Sequence, residues 1–195
     1  AQVAILVQAP LLRGVIHACP AIHCSESVVW LVGPSTMGSM ISSPSPAAVA
    51  RMYIEGTHGS LPEIDYDAIE NLLAPEVTLL QEQNTANGWE AIKPMFQGWS
   101  SIVEGHSSIT IHSIADAGNR VALAHWETNY DVKSGQTWYG TSVDISGKQM
   151  RGFTVFASFH LNHEGKIARI VQRSDDVVRK LGIEEAVYED RKAKA

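Results

Sequence analysis

Apolar residues recur at helical spacing from residue 46 and switch to strict alternation after residue 105, so the chain reads as helices first and strands second. Pro46 stands at a helix-start position, and Val49, Met52 and Tyr53 follow at i, i+3 and i+4. Tyr66–Ala74 repeats that stripe with Ile69, Leu72 and Leu73, and residues 76–83 read as a short strand. A third helix starts at Asn87-Gly88 and carries Trp89, Ile92, Phe96 and Trp99 along one side, with Pro94 bending it. Alternation then marks Ser108–Ile114, a long strand Arg120–Asp131, a shorter one around Thr137–Ser142, Met150–Leu161 and Lys166–Gln172. Turns fall at residues 116–119, 134–135 and 162–165, and Asp175-Asp176 caps a short helix over Val177–Leu181. The pattern is α+β: three N-terminal helices packed against one face of a strongly bent, antiparallel or mixed sheet. A sheet of that shape encloses a conical space suited to a small molecule.

Composition narrows the classes. Apolar residues make up 45% and charged residues 18% of 195, the make-up of an ordinary globular protein and not of a disordered, collagen-like or coiled-coil chain. No stretch reaches the ~18 apolar residues that would span a bilayer, so no membrane partner is expected. The net charge is −6 and no Lys/Arg run exceeds two, which leaves no nucleic-acid footprint. Two cysteines make no disulfide framework, and a reducing, cytoplasmic setting is expected. Residues 1–39 hold only Arg13 and Glu26 as charges, and a Gly/Pro/Ser-rich stretch over residues 33–46 follows them. Three segments result: 1–39, a poorly ordered leader or upstream non-native sequence; 40–183, the folded domain; and 184–195, a polar tail. His17, Cys19, His23 and Cys24 cluster in the leader, but their spacing matches no structural zinc pattern, so no metal is expected.

The run Asn87-Gly88-Trp89-Glu90-Ala91-Ile92 and the segment His163-Glu164-Gly165-Lys166-Ile167, followed by Asp175 and Leu181-Gly182, give the chain a family likeness. From Pro46 to Ile183 it resembles the NTF2-like superfamily, in its SnoaL-like polyketide-cyclase and ketosteroid-isomerase branch. The resemblance implies an NTF2-like cone, cofactor-free acid/base chemistry by carboxylates, His and Tyr inside it, and a homodimer formed through the outer sheet face, with Trp126 and Tyr130 as aromatic contacts.

The long strand supplies the first candidates. Val121, Leu123, His125, Glu127, Asn129 and Asp131 share one face, which begins apolar and turns polar at His125. His125 and Glu127 have Cβ atoms about 6–7 Å apart, close enough to serve one ligand. The bland alternative is a solvated strand face. The epoxide-hydrolase branch carries a basic and an acidic residue at what looks like this position. Gln172 stands seven residues after Gly165, where hydrolase-like and some cyclase-like members have a catalytic Asp. An amide exchanges no proton but can orient a carbonyl. Glu82 lies near the place of the proton-shuttling carboxylate in isomerase-like members, or else on a solvated edge. Tyr53 is an oxyanion donor or a core aromatic, and Trp99, Trp126, Trp138 and Tyr139 line a cavity or fill a core. Asp175 is read as a helix cap, and His58, His106, His112 and His163 as surface residues.

The expected function is a cofactor-independent isomerase or cyclase of secondary metabolism, acting on a polyketide-, terpenoid- or meroterpenoid-derived molecule. Glu127 or Glu82 takes a proton next to a carbonyl and His125 returns it, while Gln172, Asn129, Tyr53, Trp99 and Trp138 hold the substrate. A dehydratase or epoxide hydrolase on the same fold is one alternative. A non-catalytic binding or dimerisation domain is the other.

Overall fold

The Ser45 side chain accepts a hydrogen bond from the Ala48 N–H, and Pro46 opens the first helix behind that cap. The computed structural model describes residues 43–82 and 84–194. The expected leader and its His/Cys cluster therefore lie outside the described residues. The elements are α1 (Pro46–Thr57), α2 (Tyr66–Leu72), β1 (Leu73–Gln81), β2 (Asn84–Asn87), α3 (Trp89–Ile102), β3 (Val103–Asp116), β4 (Val121–Val132), β5 (Gln149–Leu161), β6 (Ile167–Ser174), α4 (Val177–Lys180) and α5 (Glu184–Lys194). No helix among the described residues is long and apolar enough to cross a membrane.

The six strands form one curved, unclosed sheet in the order β2-β1-β6-β5-β4-β3. Every neighbour pair is antiparallel except β1 and β6, which run parallel, so the sheet is mixed. Pro75 sits where the β1–β6 register shifts, a place where the missing N–H costs the ladder no bond. The fold is the expected α+β cone, with three differences in its elements. β2 is an extra strand that hairpins back on β1. Residues 137–142 make only one isolated bridge, Thr137 to Asp144, because the segment is mostly turns. The expected polar tail is the helix α5, anchored by the buried Val187.

The concave face of the sheet carries the core. Trp126 pairs with Val155 and Ala157 with Gln172 across neighbouring strands, and Phe159 and Trp126 are fully buried beneath α1, while α3 covers β1 and β2. Each large apolar side chain so buried contributes roughly 1.5–3 kcal/mol. On α1 the core stripe is Val49, Ala50, Tyr53, Ile54 and Thr57, while Met52, read from spacing as a core position, is exposed.

The parity of β4 decides where its polar residues go. Ala122, Ala124, Trp126, Thr128 and Tyr130 are the buried face. The small Ala122 and Ala124 let α1 approach, and the aromatics fill the wider part of the cone. His125, Glu127 and Asn129 therefore stand on the outer, convex face, which corrects the expectation that they look into the hollow. The same parity removes Trp126 and Tyr130 from any outer-face contact.

Candidate functional site

Two connected spaces open on the concave side. The inner one is a cavity of about 40 Å³, room for roughly three water molecules. Its apolar walls include Leu61, Leu79, Phe96 and Phe153, and its polar groups are His58, Gln81, Thr128, Tyr130 and Gln172. Outside it lies an open groove of about 510 Å³ between α3, the β1–β2 turn, the loop after β4 and the start of α4. Gln81, Met95 and Trp99 belong to both spaces, and Trp138 and Tyr139 form the far wall of the groove.

Each polar group reaches the cavity for a local reason. His58 is the C-cap of α1, and its carbonyl accepts a hydrogen bond from Ser107 Oγ at 2.6 Å, which fixes the helix end against β3. Its ring lies 5.3 Å from that of Trp126 and 6.2 Å from that of Phe96, measured between centroids. Burial pushes its pKa down to about 4, so the imidazole is neutral at pH 7. Gln81 and Gln172 are direct neighbours on the parallel strands β1 and β6, which places two amides side by side. Thr128 Oγ1 is buried without a hydrogen-bond partner among the described residues, an uncompensated donor and acceptor at the cavity wall. Burial raises the pKa of Tyr130 and keeps its phenol protonated, and its ring meets Trp99 edge-on at 5.8 Å. Among the described residues no carboxylate lines the inner cavity, and its polar groups are uncharged at neutral pH.

The residues expected from sequence divide sharply. Gln172 and Trp99 line the inner cavity, and Trp138 lines the groove. Glu82 is exposed at the β1–β2 turn, in a left-handed conformation (φ 52°), and reaches the groove but not the inner cavity. Tyr53 is a core aromatic packed edge-on against Phe96 and Phe159, not a lining residue. On the convex face, His125 stacks on the exposed Phe156 at 4.1 Å, and Glu127 lies 3.7 Å from His112 Nε2. Asn129 Oδ1 accepts the Gly152 N–H at a bulge of β5, a structural task. Asp176 is the residue that caps α4. Asp175 accepts the Thr154 N–H and pairs with Lys180 at 2.9 Å, and these bonds hold its carboxyl below the usual range. Among the described residues no group of three or more His, Cys, Asp or Glu converges as a metal site.

His58, read from the sequence as a surface residue, lines the cavity instead, and Thr128 and Gln81 are cavity residues for which the sequence alone suggests no site role. For His58 a signal exists: it stands four residues after Ile54 and eight after Ala50, so the buried stripe of α1 simply continues into it.

A sequence profile described as a SnoaL-like domain matches residues 50–170. The chain belongs to the SnoaL-like family. Its matched span begins in α1 and ends within β6, so it takes in β1 to β5 whole and the first half of β6. No curated protein matches the sequence. Among solved structures, this SnoaL-like chain is similar to TsrD from Streptomyces laurentii, at 20% identity over 69% of this chain and 96% of that one, with a TM-score of 0.54. It is similar to an LEH-like epoxide hydrolase from M. tuberculosis at 14% identity, over 73% and 93% of the two chains, with a TM-score of 0.51. AusH from Aspergillus nidulans matches at 15% identity, over 67% and 84%, with a TM-score of 0.50. At these identities the likeness is one of fold, and activity has to be argued from the cavity.

Proposed function

We propose that this SnoaL-like protein is a cofactor-independent enzyme that moves a proton next to a carbonyl of a small neutral molecule, leading to isomerisation or ring closure. The observation that carries the reading is a neutral imidazole, His58, in the wall of an apolar cavity whose other polar groups are uncharged. The substrate's carbonyl end enters the cavity while its ring body rests in the groove against Trp99, Trp138 and Tyr139. A polyketide- or terpenoid-derived ring compound fits those aromatic walls.

The steps follow from the groups present. His58 accepts the proton from the carbon beside the carbonyl, and the electron pair moves onto the carbonyl oxygen. Tyr130 and Thr128 hydroxyls and the Gln172 amide stabilise that developing oxyanion by hydrogen bonds. A pKa near 4 makes the empty-site imidazole a weak base. An oxyanion a few ångströms away in a low-dielectric cavity raises it, so the base strengthens as charge develops. The imidazolium then returns the proton to another carbon, or the enolate carbon attacks a second carbonyl carbon of the same molecule, whose C=O π pair moves onto its oxygen and takes the proton from the imidazolium as the ring closes.

A second reading rests on the lining: a cavity whose described residues include no Asp or Glu also suits a binding domain that does no chemistry. One experiment separates the two. In D2O, 2-tetralone exchanges its acidic C–H protons, and NMR follows the loss. The expected result is acceleration by the wild type and about a 10²-fold or greater loss in His58→Gln, with binding retained. Binding without acceleration by the wild type identifies a binding domain, and undiminished exchange in His58→Gln removes His58 from the chemistry.

The homodimer belongs to the same proposal. Leu123 and Phe156 are 52% and 54% exposed on the convex face. Across the strands, His125 pairs with Phe156 and Phe156 with Arg173, so acidic Glu127 and basic Arg173 flank an aromatic centre. A two-fold axis near Phe156 sets Glu127 of one copy towards Arg173 of the other, the self-complementarity that a symmetric interface needs.

A further inference from the structure

The far wall of the groove is carried by a loop with little regular structure of its own. Residues 133–148 contain one isolated bridge, and Trp138 and Tyr139 lie at the tip. Within the loop, the Trp138 N–H donates to the Val143 carbonyl at 2.9 Å and Thr141 Oγ1 to the Trp138 carbonyl at 2.8 Å. Both bonds are local and fix the tip's shape, not its position over the groove.

Helix α5 supplies the position. The Asp190 carboxylate accepts hydrogen bonds from the Ser142 N–H, at 3.0 Å, and from Ser142 Oγ. Its other oxygen pairs with Lys194 Nζ at 2.7 Å, and that ammonium also donates to the Gly140 carbonyl at 3.2 Å. Two residues one helical turn apart thus grip the chain just after the tip, at Gly140 and Ser142. Among the described residues, every side-chain hydrogen bond that links α5 to another element lands on residues 140–142. Val187, one turn earlier on the same side of the helix, is buried in the core and anchors the grip.

The contact continues inward. Tyr139 meets Trp99 edge-on at 6.2 Å, and Trp99 lines the inner cavity. The Tyr139 hydroxyl lies over Gly98, where an added Cβ would stand only 3.0 Å from it. We infer that α5 is a latch: Asp190 is a positioning residue that holds the Trp138–Tyr139 wall over α3 and so sets which molecules the groove admits. The inference rests on the reading of the groove as a small-molecule site.

The test uses the full chain, 2-naphthol as a neutral bicyclic probe followed by its fluorescence, and amide hydrogen exchange. Asp190→Ala is expected to speed exchange over residues 137–143 about tenfold, with β4 and β6 unchanged. The dissociation constant for 2-naphthol is expected to rise roughly 5- to 10-fold. If Asp190 acts through the wall, Asp190→Ala adds nothing to the dissociation constant once Trp138 and Tyr139 are both alanine. Equal weakening in that background, or wild-type exchange over residues 137–143, overturns the latch. Should Asp190→Ala not fold, Lys194→Ala breaks the same grip from its exposed end and is read by the same exchange measurement. A wild type that does not bind 2-naphthol sinks the reading of the groove, and loop exchange alone then decides the latch.

Discussion

His58 links the cavity to the stability of the fold. Its pKa falls from 6.5 to about 4 on folding because burial disfavours the imidazolium. Above pH 6.5 the ring is neutral in both states and contributes no pH dependence. Between 6.5 and about 4 the unfolded chain takes up a proton that the folded chain refuses, so stability declines as pH falls, by roughly 3 kcal/mol in all. Below that window the contribution is constant. Denaturant unfolding at pH 7 and pH 4.5 checks this: the stability lost by the wild type between the two is expected to exceed that lost by His58→Gln by about 2 kcal/mol. At this scale the sequence was a partial guide. Gln172 was legible from its place seven residues after Gly165, where the resemblance puts a site residue, and Trp99 and Trp138 from an aromatic bulk that lines a hollow or fills a core. His125, Glu127 and Asn129 misled because a face that turns from apolar to polar is equally consistent with a convex sheet surface. Only the partners that α1 and α3 choose settle which side is inside.

Element by element, local chemistry was the reliable part. The alternation Phe153, Val155, Ala157, Phe159 in β5 marks a buried face, and it is buried. The start of α3 shows why its glycine stands there. Gly88 is the N-cap at φ 77° and ψ 159°, a backbone region essentially closed to residues with a Cβ, and its N–H donates to the Val77 carbonyl at 2.7 Å. The nearest atom to an added Cβ is the Pro75 carbonyl oxygen at 3.8 Å, so a methyl group has room. Gly88→Ala is therefore expected to cost about 1–3 kcal/mol through the backbone alone, measured as a lower denaturation midpoint with unchanged m-value. What local pattern does not carry is pairing at a distance. The parallel β1–β6 ladder and the docking of α5 both depend on residues far apart in sequence, whereas β2 is a local hairpin strand too short and polar to show an alternating pattern. α5 in particular is polar along most of its length, with Val187 as its one buried residue, and so it reads as a tail.

For the molecule as a whole, the proposed dimer surface is the convex face, where Leu123 and Phe156 are more than half exposed. Placing a carboxylate at its aromatic centre, Phe156→Glu, is expected to yield a monomer in analytical ultracentrifugation under conditions where the wild type is dimeric, with little loss of folded stability because Phe156 is already more than half exposed. A monomeric wild type, or a dimeric variant, dismisses that face as the interface.

The side-by-side placement of the first and last strands also has a consequence for biosynthesis. Gln81 and Gln172 meet only when β6, made more than eighty residues later, slots in beside β1. The hairpins of β3, β4 and β5 can zip up while the chain is still being made, but the pairing of distant segments waits for loop closure. On the ribosome, then, the chamber is finished last. A nascent chain, or one cut short before residue 167, can hold three good strands and own no pocket at all.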